Sequence, residues 1–191
     1  PRQVQWRFDP ILLTNRLDAS FYTRRFREIA TALTGSTRRC YFSFASFYAK
    51  VRRQLQRLGV PARDPALEER RALVESMAAI AQECGITLFS CCSDALVADK
   101  VLKAHCIDGD LLAELFPDRP RVSRHRPTRP ECGCVVSQDI GVYDTCPHGC
   151  IYCYANQNQT TALARYQAHR REDAVLTQQA GGTAPSTSGI S

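Results

Sequence analysis

Residues 146–156 read CPHGCIYCYAN, which sets Cys146, Cys150 and Cys153 in C-x3-C-x2-C order with Tyr152 and Tyr154 flanking the last thiol. No regular helix or strand presents three thiols at gaps of three and two residues. The spacing suits an irregular loop around a compact metal centre, in which Gly149 permits a tight turn and Pro147 stiffens the entry. Cubane iron–sulfur clusters usually take four cysteines, so a local set of three leaves one iron for a distant residue or a small molecule. Zinc is the rival, with His148 completing a Cys3His set, although a histidine between two ligands in a three-residue gap is cramped. Plain buried thiols are the third reading.

Cys91, Cys106, Cys132 and Cys134 form a second candidate set, for zinc or an auxiliary cluster. Cys132-Gly133-Cys134 is a tight pair that one ion can span, and each cysteine taken singly also reads as a small buried hydrophobe. Cys40 and Cys84 fall on core-facing positions, and Cys92 is left open between the two roles. Arg7 and Asp9 at a strand end read equally as substrate ligands or as a structural ion pair.

These residues need a frame. In the first ninety residues strand-like and helix-like stretches alternate. VQWRF (4–8) reads as a strand ended by Asp9-Pro10. Ser20 then caps a helix with Phe26, Ile29, Ala30 and Leu33 on one face and Gly35 past its end. CYFSF (40–44) is a second strand, followed by a helix carrying Phe47, Val51, Leu55 and Leu58. Asp64-Pro65 opens a helix whose stripe is Leu73, Val74, Met77, Ile80, Ala81 and Cys84. ITLFS (86–90) follows as a buried strand. This order predicts a parallel sheet covered by helices, with ligands gathered at the carboxyl ends of the strands, near Asp9, Cys91 and Cys92. Beyond it the pattern predicts a helix around Val97–Lys103 and a short helix capped by Asp108 or Asp110. An Arg- and Pro-rich connector (118–131) follows, then a strand through VVSQDIG (135–141). A helix from Asn158 to Gln178 and a disordered, low-complexity tail close the chain.

The chain has 191 residues, ten cysteines and a net charge of +6, carried mostly by arginine. No apolar run approaches the roughly 20 residues of a membrane span, and the opening PRQVQWRFDP is not a signal peptide. Ten cysteines in such a chain point to reduced thiols in the cytoplasm, where metal outranks disulfides. The positive charge is compatible with a phosphate-bearing partner, and the connector reads first as a solvated loop. Pro1 opens the chain and Met77 is its sole methionine, so a longer natural N-terminus is expected.

The C-x3-C-x2-C motif with Tyr152 before its third cysteine resembles the cluster motif of radical S-adenosylmethionine (radical SAM) enzymes. There the open iron takes the amino and carboxylate groups of S-adenosylmethionine, and reduction cleaves that cofactor to a 5′-deoxyadenosyl radical. In that superfamily the motif lies near the N-terminus, whereas here it lies near the C-terminus. That order is similar to an uncharacterised bacterial domain-of-unknown-function family whose C-terminal cysteines resemble the radical SAM cluster. The likeness runs through WRFDPIL (6–12), SFASFY (43–48), CID (106–108) and CGCVVSQDIGVYDTCPHGCIYCYAN (132–156). The family carries no established reaction, so the resemblance implies a fold and a cluster but no substrate.

The expected class is α/β: a partial (β/α) TIM-barrel-like parallel sheet over 1–117, the connector 118–131, a Cys-rich cluster-binding segment with its helix over 132–178, and a tail over 179–191. By the resemblance, Cys146, Cys150 and Cys153 would hold a 4Fe-4S cluster, with S-adenosylmethionine on the fourth iron and Tyr152 along the adenine side. A seven-residue strand after Cys134 would carry that thiol about 20 Å from the loop, leaving the fourth iron open. An enzyme of this kind needs an external electron donor and a substrate at the strand ends. The alternative is a non-catalytic zinc or iron–sulfur protein, for electron transfer or for nucleic-acid binding through the Arg run.

Overall fold

The structure is a computed structural model and describes residues 2–177. The tail expected over 179–191 lies outside the described residues. Within them the chain divides into two compact units between Gln138 and Asp139. The connector and the Cys132–Cys134 turn therefore belong with the sheet.

The first unit is a mixed α/β layer built on four parallel strands in the order β1-β2-β3-β4: Trp6–Ile11, Arg39–Phe44, Thr87–Ser90 and Val101–Lys103. Parallel neighbours require a crossover. Helix α1 (Ala19–Ala32) links β1 to β2, and α2 (Ala49–Arg57) with α3 (Leu67–Glu83) links β2 to β3. Because each crossover steps to the next strand in one direction, right-handed connections place their helices on one face.

The strand alternation then decides everything else. Trp6, Phe8, Cys40, Phe42, Phe44, Leu88 and Val101 meet the α1 and α3 stripes in one core with Phe26, Leu73, Met77 and Ile80. Phe26 is fully buried, stacked on Trp6 at 4.8 Å between centroids and edge-on to Phe8 at 5.1 Å. Arg7, Asp9, Arg39, Tyr41, Ser43, Phe89 and Cys91 alternate with these residues and so point to the opposite face.

Several boundaries differ from expectation. Strand β1 runs through Pro10 to Ile11 with a register irregularity after Phe8, and the Asp9–Pro10 peptide is cis. As an edge strand it tolerates a residue without an N–H. Asp18, not Ser20, caps α1, its carboxylate accepting from the Phe21 N–H at 2.8 Å. Ile29 on that helix is 38 % exposed, while Phe26 and Ala30 are buried. The helix expected around Val97–Lys103 is instead a 3-10 turn (Asp94–Leu96) followed by β4, because Val101 is buried and pairs with Leu88. Three residues carry too little alternation to announce a strand.

VVSQDIG is not a strand either. Val135 makes a single bridge to His125, the Asp139 carboxylate accepts from the Gly141 N–H at 2.7 Å, and Ile140 is 90 % exposed. Val135 is buried, but the residues from Ser137 to Ile140 are exposed, so no strand continues through the segment and the 20 Å separation expected from a straight strand does not apply. Asp108 caps the short helix α4 (Gly109–Leu115), accepting from the Asp110 and Leu111 N–H groups.

The second unit contains the cysteine loop and α5, which spans Gln159–Ala168 rather than reaching Gln178. Asn158 caps it through the Thr161 N–H at 3.1 Å.

Phe26→Ala should destabilise the first unit by about 3–5 kcal/mol, read as a lower denaturant midpoint at unchanged slope. A loss under 1 kcal/mol would contradict this packing.

Candidate functional site

The polar face of the sheet gathers its chemistry at the carboxyl ends of β1, β2 and β3. Arg7 pairs with Asp9 at 2.5 Å, and Ser43 donates its hydroxyl to the same Asp9 carboxylate at 3.3 Å. The other end of the Arg7 guanidinium reaches Cys106 Sγ at 3.0 Å. Cys106 Sγ lies 3.5 Å from Cys91 Sγ, which lies 3.8 Å from Cys92 Sγ. Arg129 approaches Cys91 Sγ at 3.5 Å from the opposite direction. The Arg7–Asp9 pair and half of the second cysteine set are therefore one site, spanning residues 99 positions apart in the chain.

The segment after the connector holds the other half. The Val135 N–H donates to the Ile107 carbonyl at 3.1 Å, and His105 Nδ1 lies 2.6 Å from the Gly133 carbonyl. This laces residues 133–135 to the chain leaving β4. A Cβ on Gly133 would stand 2.9 Å from the Ala104 carbonyl oxygen and from the His105 ring. The glycine of C-G-C is thus required by close packing. Cys134 accepts hydrogen bonds from the Ile107 and Cys106 backbone, and Cys132 bonds to Cys134 and to the Thr128 hydroxyl. The four thiols fall into two pairs, Cys91 with Cys106 and Cys132 with Cys134. Among the described residues no group of three or more His, Cys, Asp or Glu side chains is placed to hold a single metal ion.

Charge is unevenly shared among these sulfurs. The hydrogen bond from Cys106 favours the Cys91 thiolate against the burial that disfavours it, and Arg129 and Arg7 add to the same side. Cys106 is pushed the other way, by that same bond and then by burial. The sulfur–sulfur contact and the two guanidinium groups together favour a thiolate on this pair, with the Cys91 thiol shifted down and the Cys106 thiol shifted up. Burial, then the neighbouring charge of Cys91, keeps Cys92 protonated.

Further along this face Arg39 bonds Asp108 at 2.7 Å and lies over the Phe89 ring, 5.5 Å from its centroid. Phe89 in turn stacks on Tyr41 at 5.0 Å. From sequence Asp108 reads only as a helix cap and Cys92 is left open, and Arg39, Tyr41 and Arg129 are not singled out. Arg39 and Tyr41 had a readable signal, since they alternate with core residues 40, 42 and 44. Arg129 had none. It sits in a connector that reads as a solvated loop, and most of that connector is exposed, yet Arg129 and Glu131 fold back onto the chain leaving β3, Glu131 accepting from the Asp94 N–H at 2.8 Å.

The motif cysteines lie in the second unit, in a loop closed by the side chains of Asp144, Asn156 and Gln159, the last donating to the Pro147 carbonyl at 2.9 Å. The Asp144 carboxylate accepts from the Gln157 and Asn158 N–H groups at 2.5 and 2.9 Å, while the Asp144 N–H donates to the Ala155 carbonyl. Buried Asn156 donates from its side chain to the Cys146 carbonyl at 2.6 Å and from its backbone to Cys153 Sγ at 3.3 Å. Gly149 takes φ +64°, the left-handed conformation that the tight turn requires. Cys146 and Cys153 are half-buried and Cys150 is exposed. Tyr152 is half-buried beside Cys153, and His148 is exposed.

The family model described as a domain of unknown function (DUF1848) matches residues 1–155. No curated protein and no solved structure matches the chain. Among the described residues no helix is long and apolar enough to cross a membrane.

Burial works against the Asp108 charge, but the Leu111 N–H, the Arg39 guanidinium and the Asp110 N–H outweigh it and hold the carboxyl below its ordinary range. A depressed folded value means that the stabilisation is complete above the unfolded value of about 4 and is lost as pH falls through the folded one. Asp108→Asn keeps the cap and removes the charge. It should cost about 1 kcal/mol near neutrality, and the difference from wild type should shrink below about pH 4 in acid denaturation. A difference that persists undiminished in acid would show that the charge is irrelevant.

Proposed function

The chain belongs to the family of the domain of unknown function DUF1848, and from that premise we propose that it is an iron–sulfur protein of radical SAM type. The supporting observation is the C-x3-C-x2-C triplet in a loop that Asp144 and Asn156 close, with a backbone N–H donated to one of its sulfurs. Cys146, Cys150 and Cys153 would each ligate a different iron of a 4Fe-4S cluster. Such ligands need not meet at one point, as they must around a single tetrahedral zinc ion. Hydrogen bonds to cluster sulfurs tune charge and potential, and the Asn156 N–H is placed to do this at Cys153. Three cysteine thiols in one loop, one of them accepting a backbone N–H, are the donor type such a cluster takes.

When bound, such a cluster with S-adenosylmethionine on its fourth iron supplies one-electron reductive cleavage of that cofactor. The residues of this chain do the rest. Asn156 and Asp144 hold the thiols in order, and Tyr152 would line the adenine side. An external reductant would provide the electron in a reducing cytoplasm.

The proposal includes the finer fold, part of a (β/α) barrel. Its support is a sheet wound in one direction, with α1 and α3 in the core on one face and with Arg7, Asp9, Arg39 and Ser43 on the other. In a barrel that second face is the interior.

Anaerobically reconstituted protein should be brown, with iron and sulfide near four each per chain. Replacing Cys146, Cys150 or Cys153 by Ala should abolish the broad visible absorption. A colourless protein that keeps stoichiometric zinc would refute the assignment. The reduced protein given S-adenosylmethionine should release 5′-deoxyadenosine.

Asn156→Ala should lower the iron retained after desalting by at least about half, because the loop loses its tie to Cys146. Unchanged iron would show that Asn156 plays no part in holding the ligands.

A further inference from the structure

The Cys91–Cys106 pair is left unused by the function proposed above, and its surroundings suit a different chemistry. Its sulfurs are in contact at 3.5 Å, about 1.5 Å beyond a disulfide bond. Each has its own guanidinium, Arg129 at Cys91 and Arg7 at Cys106. Cys91 also lines a cavity of about 290 Å³ between the carboxyl ends of β2 and β3, whereas Cys106 does not. Of the pair, Cys91 is presented to a ligand, with Cys92 beside it on the same wall, and Cys106 stands behind.

The charge of that cavity names the ligand class. Its walls carry Arg52, Arg70 and Arg129 against a single carboxylate, Asp64. Asp64 is already paired with Arg70. Arg52 donates to the Phe47 carbonyl at 2.9 Å and stacks on the Phe47 ring, keeping its full positive charge at the wall. The excess is cationic, and the volume admits one arm of a small organic anion.

We infer that Cys91 and Cys106 are a reversible dithiol–disulfide pair that exchanges with an anionic low-molecular-weight disulfide entering through the Arg52–Arg129 cavity. The Cys91 thiolate attacks one sulfur of the disulfide, forming a mixed disulfide and expelling a thiolate. That thiolate takes the Cys106 proton. The Cys106 thiolate, beside Arg7, attacks the Cys91 sulfur, closes the internal disulfide and expels the second thiolate. Two protein thiols lose two electrons and one small disulfide gains them. Arg129 anchors the anionic arm and Arg52 draws it in; neither exchanges a proton.

The test uses the full chain, reduced and metal-analysed, with glutathione disulfide as the anionic probe and 2-hydroxyethyl disulfide as the neutral one. Peptide mapping should find a Cys91–Cys106 disulfide, two hydrogens lighter and restored by dithiothreitol. Cys106→Ala should instead trap glutathione on Cys91. Arg52→Gln, at an exposed side chain that touches neither sulfur, should slow the reaction with glutathione disulfide at least fivefold and leave the neutral probe within twofold. Glutathione found on other cysteines while Cys91 and Cys106 stay reduced would overturn the inference. So would equal slowing with both probes, or a metal ion retained on Cys91 that protects both thiols.

Discussion

The structure depends on one constraint, the unidirectional parallel pairing of β1, β2, β3 and β4. Consecutive parallel neighbours force crossovers of one hand, and those place α1 and α3 against the same side of the sheet. Buried Phe26, Phe42, Met77 and Leu88 follow from that side being covered. The other side then receives every second strand residue without a matching helix. It is free to carry Arg7, Asp9, Arg39 and Ser43, which a helix-covered face could not hold without burying unpaired charge.

On that polar face the charges are arranged in pairs that satisfy one another across the strands. Arg7 spans Asp9 and Cys106, Arg39 spans Asp108 and the Phe89 ring, and Arg129 closes over Cys91. Each guanidinium presents a planar fork of donors, so it can hold a carboxylate and a sulfur or an aromatic face together. This is one structural use of the chain's arginine-rich charge, distinct from any attraction to phosphate. It also ties the C-terminal side of the first unit to the strands: Arg129 and the Gly133 contact draw residues 124–136 onto the ends of β3 and β4.

The cysteines separate by environment rather than by sequence spacing. Cys40 is a fully buried core residue, and Cys84 ends α3 at the core margin. Cys91 and Cys106 meet between two arginines, and Cys134 accepts backbone N–H groups. Cys146, Cys150 and Cys153 stand in a separate unit, in a loop closed by Asp144, Asn156 and Gln159. Ten thiols of one chemical type thus occupy at least three different environments.

Local sequence determined the elements with a clear period and a clear stop. The α3 stripe from Leu73 to Ala81, the alternation in CYFSF and the Asp108 cap were legible because near neighbours decide them. The C-x3-C-x2-C loop was legible for the same reason, since its spacing excludes regular structure. Tertiary structure alone decided that Val101–Lys103 pairs as a strand, because three residues gain that conformation only from the edge that β3 offers. It also decided that VVSQDIG does not, because beyond buried Val135 the residues from Ser137 to Ile140 stay exposed. The meeting of Arg7 with Cys106 and of Arg129 with Cys91 was likewise unreadable. These contacts join residues 99 and 38 positions apart, and no local pattern encodes a separation that only the sheet's winding sets.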